Sequence, residues 1–560
     1  MHPVPYPPKE GAAFAPVVDE ILAGLSVRDR IAQLVVPWIP GTYAAYDDEG
    51  FARAEAWVDS LHVGGVIVSV GSPLDIAAKL NGLQRRSRLP LLVASDFEGG
   101  TSIRFNGGTQ LPPNMGVGAT GSDSAAYEMG RITAIEGRAV GVQLAFAPVA
   151  DVNNNPANPI INTRSFGEDP AAVGRLVAAE VRGLQDNGML ATAKHFPGHG
   201  DTGTDSHLAL PVITADWARL DSVELVPFRA AVAAGVQVVM SAHIALPGID
   251  TGEVRPGTVA PEILTGLLRD SLGFKGLVVT DALNMAGIAN RYGAEAGVRA
   301  FRAGADLLLQ PADPGAAIDA MAAAVERGEI SAERLDRSVR RVLALKEALG
   351  LFRRRTVSLD SIPAVVGRAE FAREAAHIAS QSIVMVKDSG GVIHALKNDK
   401  PALTVVTFAE DDNRSAGLAL AAELRAQGFA VTLSRLWPAS GPVSYDSAVS
   451  AIVRSPVTVF ATADRPTPWR GSLGLPSAMA NLIGATASLR PAVLVSLGNP
   501  YTLAQVPEIG SYLIAWRSNP VIEQAVARAL AGAAPITGRL PISLPPDYPR
   551  GWGLQRRIDR

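Results

Sequence analysis

The chain has no cysteine, almost no net charge and few aromatic residues. Its 560 residues carry a formal net charge of -3, and 6% of them are aromatic. Without cysteine the protein has no disulfide bond, no thiolate metal site and no cysteine nucleophile. Without a basic excess it lacks the charge that attracts nucleic acid or an anionic membrane. Its chemistry must therefore come from carboxylates, imidazoles and hydroxyl groups, and we expect neither nucleic acid nor a membrane as a partner.

Long apolar runs are also missing. No stretch reaches the roughly 18 apolar residues that a membrane span needs. The start, MHPVPYPPKE, contains four prolines, and the apolar stretch after it is interrupted by Asp19 and Glu20, which is not typical of a secretory signal. We therefore predict a cytoplasmic protein, with export after signal removal as the alternative. The composition, 48% hydrophobic and 19% charged, is that of a folded globular protein.

Eight short apolar runs recur over the first 310 residues, each followed by a turn signal and a helical pattern. They lie at Leu34–Pro37, Val66–Ser69, Leu91–Ser95, Leu144–Pro148, Ala191–His195, Val238–His243, Leu277–Asp281 and Ala305–Gln310. Such alternation predicts parallel strands joined by crossover helices. Eight units in about 300 residues predict a (β/α)8 barrel.

A second unit is indicated beyond a predicted helix at Leu335–Leu349. There the segment FRRRTVSLDSIPAVVG is charged and then punctuated by proline and glycine, as linkers are. Alternating strands and helices resume after it, which predicts a smaller, parallel three-layer sandwich. We therefore predict an α/β protein with an N-terminal (β/α)8 TIM-type barrel over residues 1–352, a linker and connecting helix over 353–381, and a C-terminal α/β/α sandwich over 382–560.

Reactive side chains follow the predicted strands at their carboxyl ends. They are Asp96, Asp151, Lys194, His195, His243 and Asp281. In a barrel these ends converge on one face, where a rigid scaffold holds catalytic groups. A single such residue could simply cap a loop or close an ion pair at the rim, but successive strands that all end this way favour one shared site.

The densest polar segment is KHFPGHGDTGTDSH, which begins at Lys194 and ends at His207. Its glycines and proline exclude a helix, so the segment is predicted to be a strand end that opens into a long loop. Three interpretations remain open. The loop could hold a metal ion through His195, His199, Asp201 and His207. Its histidines could be structural. Alternatively, Asp205 could orient His207 as an acid/base group that works near neutral pH.

An acid/base histidine needs a partner that forms the covalent bond. Asp281 ends the strand LVVTD, and an ionised carboxylate there could attack the anomeric carbon of a sugar. The alternative role for Asp281 is that of a helix N-cap for the segment that begins at Ala282.

Four segments together resemble glycoside hydrolase family 3, and more narrowly its bacterial β-N-acetylglucosaminidase branch. They are KHFPGHGDTGTDSH, SDFEGG at 95–100, INTRSFGEDP at 161–170 and VVTDALNM at 278–285. In the second unit, LVSLGNPY and ITGRLPISLP also look like that family. The chain departs from the family at Thr101, where the family often carries an arginine directly after the EGG motif.

The resemblance implies roles for particular residues. Asp281 would be the nucleophile, and Asp205 with His207 would be the acid/base dyad. The residues that would bind the sugar are Asp96, Arg104, Arg164, Lys194 and His195, with His243 added. The implied activity is that of a retaining exo-β-N-acetylglucosaminidase that needs no cofactor and no metal ion.

Three alternatives to this function stay open at this point. The chain could be a β-glucosidase or xylosidase of the same family, although those enzymes usually take their acid/base from a glutamate of the second domain, and no motif singles out Glu523 here. It could transfer the sugar to phosphate, which an imidazole does not repel as a carboxylate would. It could also be a non-catalytic sugar-binding protein. The natural substrate could be a muropeptide, a chito-oligosaccharide or a glycan end, and the oligomeric state is unknown.

Overall fold

A computed structural model of the protein describes residues 16–45, 47–250, 254–467, 471 and 473–557. The proline-rich start, MHPVPYPPKE, and the outer limits of the two predicted domains at residues 1 and 560 lie outside these ranges. None of the described helices combines the length and the apolar composition that a bilayer crossing requires.

The chain divides into two compact units. The first comprises residues up to 109 together with 126–152 and 174–368, and the second comprises 110–125, 153–173 and 369–560. The second unit therefore includes two segments that lie within the predicted range 1–352. The domain limits at 352 and 382 stay a prediction.

The strands in chain order are β1 (Val35–Val36), β2 (Trp38–Pro40), β3 (Gly65–Ser69), β4 (Leu92–Ser95), β5 (Leu144–Ala145), β6 (Thr192–Phe196), β7 (Val238–Ser241), β8 (Leu277–Val279), β9 (Leu308–Leu309), β10 (Val384–Asp388), β11 (Leu403–Ala409), β12 (Val431–Leu436), β13 (Val457–Ala463), β14 (Ala492–Ser496) and β15 (Ser511–Ile514).

The α-helices are α1 (Pro16–Ala23), α2 (Val27–Ala32), α3 (Glu49–Asp59), α4 (Pro73–Arg86), α5 (Asn114–Thr120), α6 (Asp123–Ala139), α7 (Pro170–Asp186), α8 (Trp217–Ser222), α9 (Leu225–Ala233), α10 (Ala286–Tyr292), α11 (Glu295–Ala303), α12 (Pro314–Glu326), α13 (Ala332–Ala348), α14 (Ile362–Val365), α15 (Ala369–Ser382), α16 (Val392–Asp399), α17 (Leu418–Ala426), α18 (Pro442–Arg454), α19 (Ser477–Leu489) and α20 (Pro520–Leu530). A π-helix spans Glu262–Ser271, and short 3₁₀ turns lie at Thr101–Ile103, Asn162–Arg164, Gly257–Val259, Leu359–Ser361 and Pro500–Gln505.

In the first unit all the paired strands run parallel. β1 pairs with β9, β2 to β5 form one sheet in chain order, and β6 to β8 form another. Single parallel bridges, Leu144 to Leu190 and Val279 to Leu307, lie between these groups. Every residue of β3, β4, β6, β7 and β8 is buried, as expected for parallel strands covered on both faces. The predicted α/β class with parallel strands is therefore confirmed for this unit.

The predicted strands of the first unit overlap the observed ones but extend too far at several ends. The first prediction, Leu34–Pro37, covers β1 and stops at a proline that separates β1 from β2, because proline has no N–H to donate to a ladder. His243 and Asp281, predicted as the last residues of their strands, lie two residues beyond β7 and β8. These side chains thus project from loop backbone at the carboxyl ends of the strands.

The second unit is built on a six-stranded sheet in the order β10-β15-β14-β13-β11-β12. Alternate residues of its strands enter two apolar cores, one with Val405 and Val459 and the other with Val406 and Phe460. Helices α15, α16, α17 and α20 contribute to the first core, and α5, α18 and α19 contribute to the second. The prediction of an all-parallel sheet is wrong at β10, which is antiparallel to β15. A helical crossover makes the strands that it joins parallel. β10 follows α15 directly and is not reached by a crossover from another strand of this sheet, so it is free to run antiparallel.

Candidate active site

The reactive side chains of the first unit lie at the carboxyl ends of its parallel strands, as predicted. Asp96 directly follows β4, Lys194 and His195 lie within β6, and His243 and Asp281 follow β7 and β8. The strand residues beneath them are buried and mostly apolar, so the backbone that carries these groups is held on both sides. A rigid arrangement of this kind fixes the spacing of reactive groups.

Asp281 is surrounded by imidazole groups. Its Oδ1 accepts a hydrogen bond from the backbone N–H of Ala282 at 2.8 Å. Burial on its own would raise the pKa of this carboxyl group, but the imidazoles of His243, His195 and His207, together with that N–H, outweigh burial and leave the pKa below its ordinary value. Asp281 is therefore a carboxylate at neutral pH, within electrostatic reach of three histidines.

His243 is bound through both ring nitrogens. Its Nδ1 lies 2.8 Å from the Thr258 hydroxyl oxygen, and its Nε2 lies 3.0 Å from the carbonyl oxygen of Ala282. The ring is fully buried, and burial lowers its pKa although the charge of Asp281 acts in the opposite direction. Through these two contacts His243 anchors the backbone next to Asp281. Its predicted contact with a sugar stays a prediction.

His207 is oriented by Asp205. The imidazole Nδ1 lies 2.7 Å from Asp205 Oδ1, which also accepts the backbone N–H of His207 at 2.9 Å. Asp205 is buried, whereas the His207 side chain keeps 22% of its surface exposed. The carboxylate fixes one edge of the ring and points the opposite edge, Nε2, away from itself, which is the arrangement that an oriented acid/base group requires.

The base of the loop is fixed by Asp151. Its Oδ2 lies 2.8 Å from His195 Nδ1, and its Oδ1 accepts the backbone N–H groups of His195 at 3.2 Å and His199 at 2.7 Å. The sequence marked Asp151 as a strand-end carboxylate without a role. His199 is bonded to the hydroxyl groups of Thr202 (2.7 Å) and Ser206 (3.0 Å). For His199, the interpretation as a structural histidine is therefore the one that the contacts fit.

A second ionic cluster lies around Asp96. Lys194 Nζ is 2.9 Å from Asp96 Oδ1 and 2.5 Å from Glu98 Oε1, and Arg104 Nη2 is 3.4 Å from Asp96 Oδ2. Lys194 is buried, and Asp96 and Arg104 are partly exposed. Sequence reasoning missed Glu98, although it stands inside the SDFEGG segment, because a glutamate in such a motif gives no sign of which cation it contacts. The cluster presents alternating donors and acceptors, as polyol recognition requires.

Arg164 belongs to the second unit. Its guanidinium Nη1 donates to the carbonyl oxygen of Ile160 at 2.9 Å, and its own carbonyl oxygen accepts from Asn114 at 2.8 Å. Its predicted role in sugar binding stays a prediction. In the same unit Glu523 is buried and accepts the N–H groups of Gly417 and Leu420 at the start of α17, so it acts there as a helix cap.

The side chains of the metal-site interpretation do not converge on one point. His199 contacts two hydroxyl groups, and Asp201 contacts Arg219 at 3.1 Å. Within the described ranges, no group of three or more His, Asp or Glu side chains is placed to hold a metal ion.

Comparisons with known proteins identify the family of the chain. Residues 26–345 match the model of the glycosyl hydrolase family 3 N-terminal domain. The chain is 34% identical over 510 residues to the beta-N-acetylglucosaminidase/beta-glucosidase of Cellulomonas fimi, which covers 86% of this chain and 88% of that protein.

Two solved structures are similar along nearly the whole chain. One is a glycoside hydrolase family 3 beta-N-acetylglucosaminidase from Paenibacillus sp. FPU-7, with 34% identity, a TM-score of 0.84 and coverage of 93% of this chain and 99% of that one. The other is a beta-glucoside phosphorylase, with 26% identity, a TM-score of 0.84 and coverage of 94% and 96%. The chain described here belongs to glycosyl hydrolase family 3.

Proposed function

We propose that the protein is a retaining exo-β-N-acetylglucosaminidase that releases terminal β-linked N-acetylglucosamine by double displacement. The observation that carries the proposal is that a partly buried Asp281 follows β8, while Asp205 orients His207 in the loop that follows β6, at the same ends of the parallel strands. Two of the relatives named above are called beta-N-acetylglucosaminidases, which supports N-acetylglucosamine as the sugar that is released.

In the first step the Asp281 carboxylate attacks the anomeric carbon while the bond to the leaving oxygen breaks. His207 donates its proton to that oxygen, so the aglycone departs as an alcohol and the sugar remains as an ester of Asp281. In the second step His207 takes a proton from water, and the resulting nucleophile cleaves the ester and frees the sugar. The imidazole thus acts first as an acid and then as a base.

The other predicted residues are proposed to bind and position the sugar. Asp96 would accept hydrogen bonds from sugar hydroxyl groups, and Arg104, Lys194 and His195 would donate to others. Arg164 is proposed as a further donor. Because both nitrogens of His243 are bonded within the protein, we assign it to positioning the Asp281 turn.

Trapping the covalent ester tests this mechanism directly. In His207→Ala an aryl glycoside with an activated phenol leaving group still forms the ester, but its hydrolysis lacks the base, so the ester accumulates. Intact-mass and peptide mass spectrometry should locate one N-acetylglucosaminyl group on Asp281. The matched control is His207→Ala combined with Asp281→Asn, which should carry no sugar. A label on another residue, or none while turnover continues, would contradict the proposal.

A second activity, transfer of the sugar to phosphate, is favoured by one observation. The acid/base group is an imidazole, which does not repel an incoming phosphate anion as a carboxylate does, and one structural relative is a phosphorylase. Phosphate would then replace water in the second step and give a sugar 1-phosphate. Product analysis in phosphate and in an inert buffer decides between water and phosphate. A panel of aryl β-glycosides decides between N-acetylglucosaminidase and β-glucosidase or xylosidase activity.

For the architecture, we propose that the first unit is a closed (β/α)8 barrel and that the second is an α/β/α sandwich. The parallel pairings of β1 to β9, with the bridges at Leu144 and Val279, support the barrel. The two cores on alternate residues of β10 to β15 support the sandwich. We retain the cytoplasm as the predicted location, which cell fractionation tests against export.

A further inference from the structure

The edge of the first unit next to Asp96 carries exposed apolar side chains that the proposed chemistry does not use. Trp38, the first residue of β2, is 41% exposed, and Val70, the residue after β3, is 53% exposed, although Ile39 and all of β3 are buried. A large aromatic group in water is unfavourable unless something covers it during function.

Strand register places Trp38 on the same side of the sheet as Asp96. Trp38 pairs with Ile67 and Pro40 with Ser69, while Ile67 pairs in turn with Ala94. Continuing this register by two residues puts Ser69 opposite Asp96. Because side chains alternate between faces along a strand, the side chains of Trp38, Ser69 and Asp96 lie on one face.

The indole ring is held in place at its edge. Trp38 Nε1 donates to the Ser69 hydroxyl oxygen at 2.7 Å, and Ser69 is buried. The polar atom of the indole is therefore satisfied by the protein, and what the ring offers to a ligand is its apolar surface. A fixed aromatic ring binds with a smaller loss of conformational entropy than a mobile one.

Val70 adds to the same edge in a strained conformation. Its φ is 62°, in the left-handed region that is unfavourable for a β-branched residue, and its N–H donates to the carbonyl oxygen of Arg104 at 3.1 Å. Such conformations are rare for β-branched residues and gather at functional sites. An exposed valine gains little packing in return, so its backbone contact with Arg104, the partner of Asp96, points to a ligand near this loop.

The charges at this edge indicate what kind of ligand fits. The guanidinium of Arg104 and the ammonium of Lys194 both contact Asp96, and Lys194 also contacts Glu98. These cations are thus partly neutralised by neighbouring carboxylates, and Trp38 and Val70 are apolar. A neutral pyranose ring, which has an apolar face of C–H groups, matches this surface better than a ring that carries a carboxylate.

We propose that Trp38 and Val70 form a subsite for the second sugar of the substrate, and that this sugar is an uncharged pyranose as in a chito-oligosaccharide. The proposal rests on the proposed function, since it assumes that the terminal N-acetylglucosamine occupies the site around Asp96. The indole face would cover the apolar face of the second ring, and Val70 would contact its edge.

Two substrates with the same terminal sugar test the subsite. N,N′-diacetylchitobiose has a second ring, whereas N-acetyl-β-glucosaminyl fluoride has a single-atom leaving group that cannot reach the subsite. Trp38→Ala should lower kcat/KM for the disaccharide about tenfold and leave kcat/KM for the fluoride within about twofold. Trp38→Phe should keep most of the activity on the disaccharide. The matched control is Trp217→Ala, which removes a tryptophan of similar exposure, 47%, and should change neither value.

The outcomes separate the subsite from the proposed function. If the wild-type protein hydrolyses neither substrate, the proposed function fails. If the wild-type protein hydrolyses both and Trp38→Ala affects both equally or neither, only the subsite is wrong. A third substrate, the same disaccharide with a lactyl carboxylate on the second ring, should give a lower kcat/KM than diacetylchitobiose. A higher value would overturn the preference for an uncharged ring.

Discussion

The two ends of the parallel strands in the first unit use polar residues in different ways. At the amino ends, buried amides and ion pairs bond to backbone groups and to one another. The side-chain amide of Gln84 donates to the carbonyl oxygen of Leu91 and accepts its N–H, just before β4. In the same way, the side chain of Gln143 accepts the N–H of Val93, and that of Gln185 accepts the N–H of Gln237 before β7. At the carboxyl ends, carboxylates and imidazoles are instead gathered around Asp96 and Asp281.

Asp306 shows the difference most clearly. It precedes β9 and contacts the guanidinium groups of Arg269 at 2.7 Å, Arg341 at 3.0 Å and Arg334 at 3.4 Å. Burial alone would raise its pKa, but these three arginines outweigh burial and lower the pKa to about 2. Asp281 also has a lowered pKa despite its burial, but the groups that lower it are imidazoles and the N–H of Ala282 rather than guanidinium groups. The arginine contacts of Asp306 serve the fold, whereas the imidazoles near Asp281 belong to the proposed reaction.

Replacing the carboxylate at each end should therefore produce opposite results. Asp281→Asn should lower kcat/KM for an aryl N-acetylglucosaminide by roughly 10⁴-fold, because the nucleophile is lost. Its free energy of unfolding should fall little or rise. Steady-state kinetics and urea unfolding measure both quantities. Turnover near that of the wild type would remove Asp281 from the mechanism.

At the opposite end, Asp306→Asn should destabilise the protein by about 3–5 kcal/mol, because three partly buried arginines lose their shared partner. Kinetic constants per folded molecule should stay near those of the wild type. The control is Asp319→Asn, which removes an exposed partner of Arg28 and should change stability by less than about 0.5 kcal/mol. The stabilisation from Asp306 is present above the ordinary carboxyl pKa near 4 and is lost as the pH falls toward 2. Equal unfolding free energies for the two variants would refute this account.

The effect of replacing His207, at the carboxyl end of the strands, should depend on the leaving group of the substrate. His207→Ala should lower kcat/KM by about 10²- to 10³-fold for diacetylchitobiose, whose alkoxide needs a proton to depart. The loss should be much smaller for a 2,4-dinitrophenyl glycoside, because that phenolate leaves without protonation. A plot of kcat/KM against leaving-group pKa should be steeper for the variant than for the wild type. Parallel plots would show that His207 is not the acid.

A fully buried acid on α7 should make the stability of the protein depend on pH. Glu180 on α7 is fully buried, and neither of its oxygens has a hydrogen-bond partner among the described residues. Burial raises its pKa to about 8; the charge of Glu98 acts in the same direction, and that of Lys194 opposes it. The folded protein therefore holds a proton that the unfolded chain releases above about pH 4.5, and stability falls as the pH rises from there to 8.

Glu180→Gln should remove this slope of about 1 kcal/mol per pH unit, which urea unfolding at several pH values measures. Exposed Glu326→Gln is the control and should leave the slope unchanged. If the free energy of unfolding changes with pH between 5 and 8 in the same way for the wild type and for Glu180→Gln, Glu180 is not protonated in the folded protein.

Much of the fold could be predicted because apolar, β-branched runs mark buried strands directly. β3, β4 and β7 were predicted to within one or two residues, since each is a continuous buried run between turn signals. β10 was missed because its run follows α15 without a turn signal. The sequence also gave no sign that residues 153–173 pack with the later chain, where Asn162 bonds to Asn499 and Asn153 to Tyr501.

The candidate site was predictable where partners are close in sequence. Asp205 and His207 are two residues apart, so their contact follows from spacing alone. The partner of His195 is Asp151, 44 positions away, and the partner of Lys194 is Glu98, so only the folded chain brings them together. Local patterns reveal local pairs, whereas contacts between strand ends depend on the order of strands in the sheet.

The hydrogen bond between the side chains of His199 and Ser206 joins the start of the loop after β6 to the residue that precedes His207. Ser206 is the neighbour of His207, and His199 is fastened to Asp151, the same carboxylate that orients His195. An outward movement of His207, the proposed proton donor, would have to break this hydrogen bond or move His199, which is bound to the same carboxylate as His195. We therefore expect movement of His207, the proposed acid, to be coupled to the position of His195, a proposed sugar ligand.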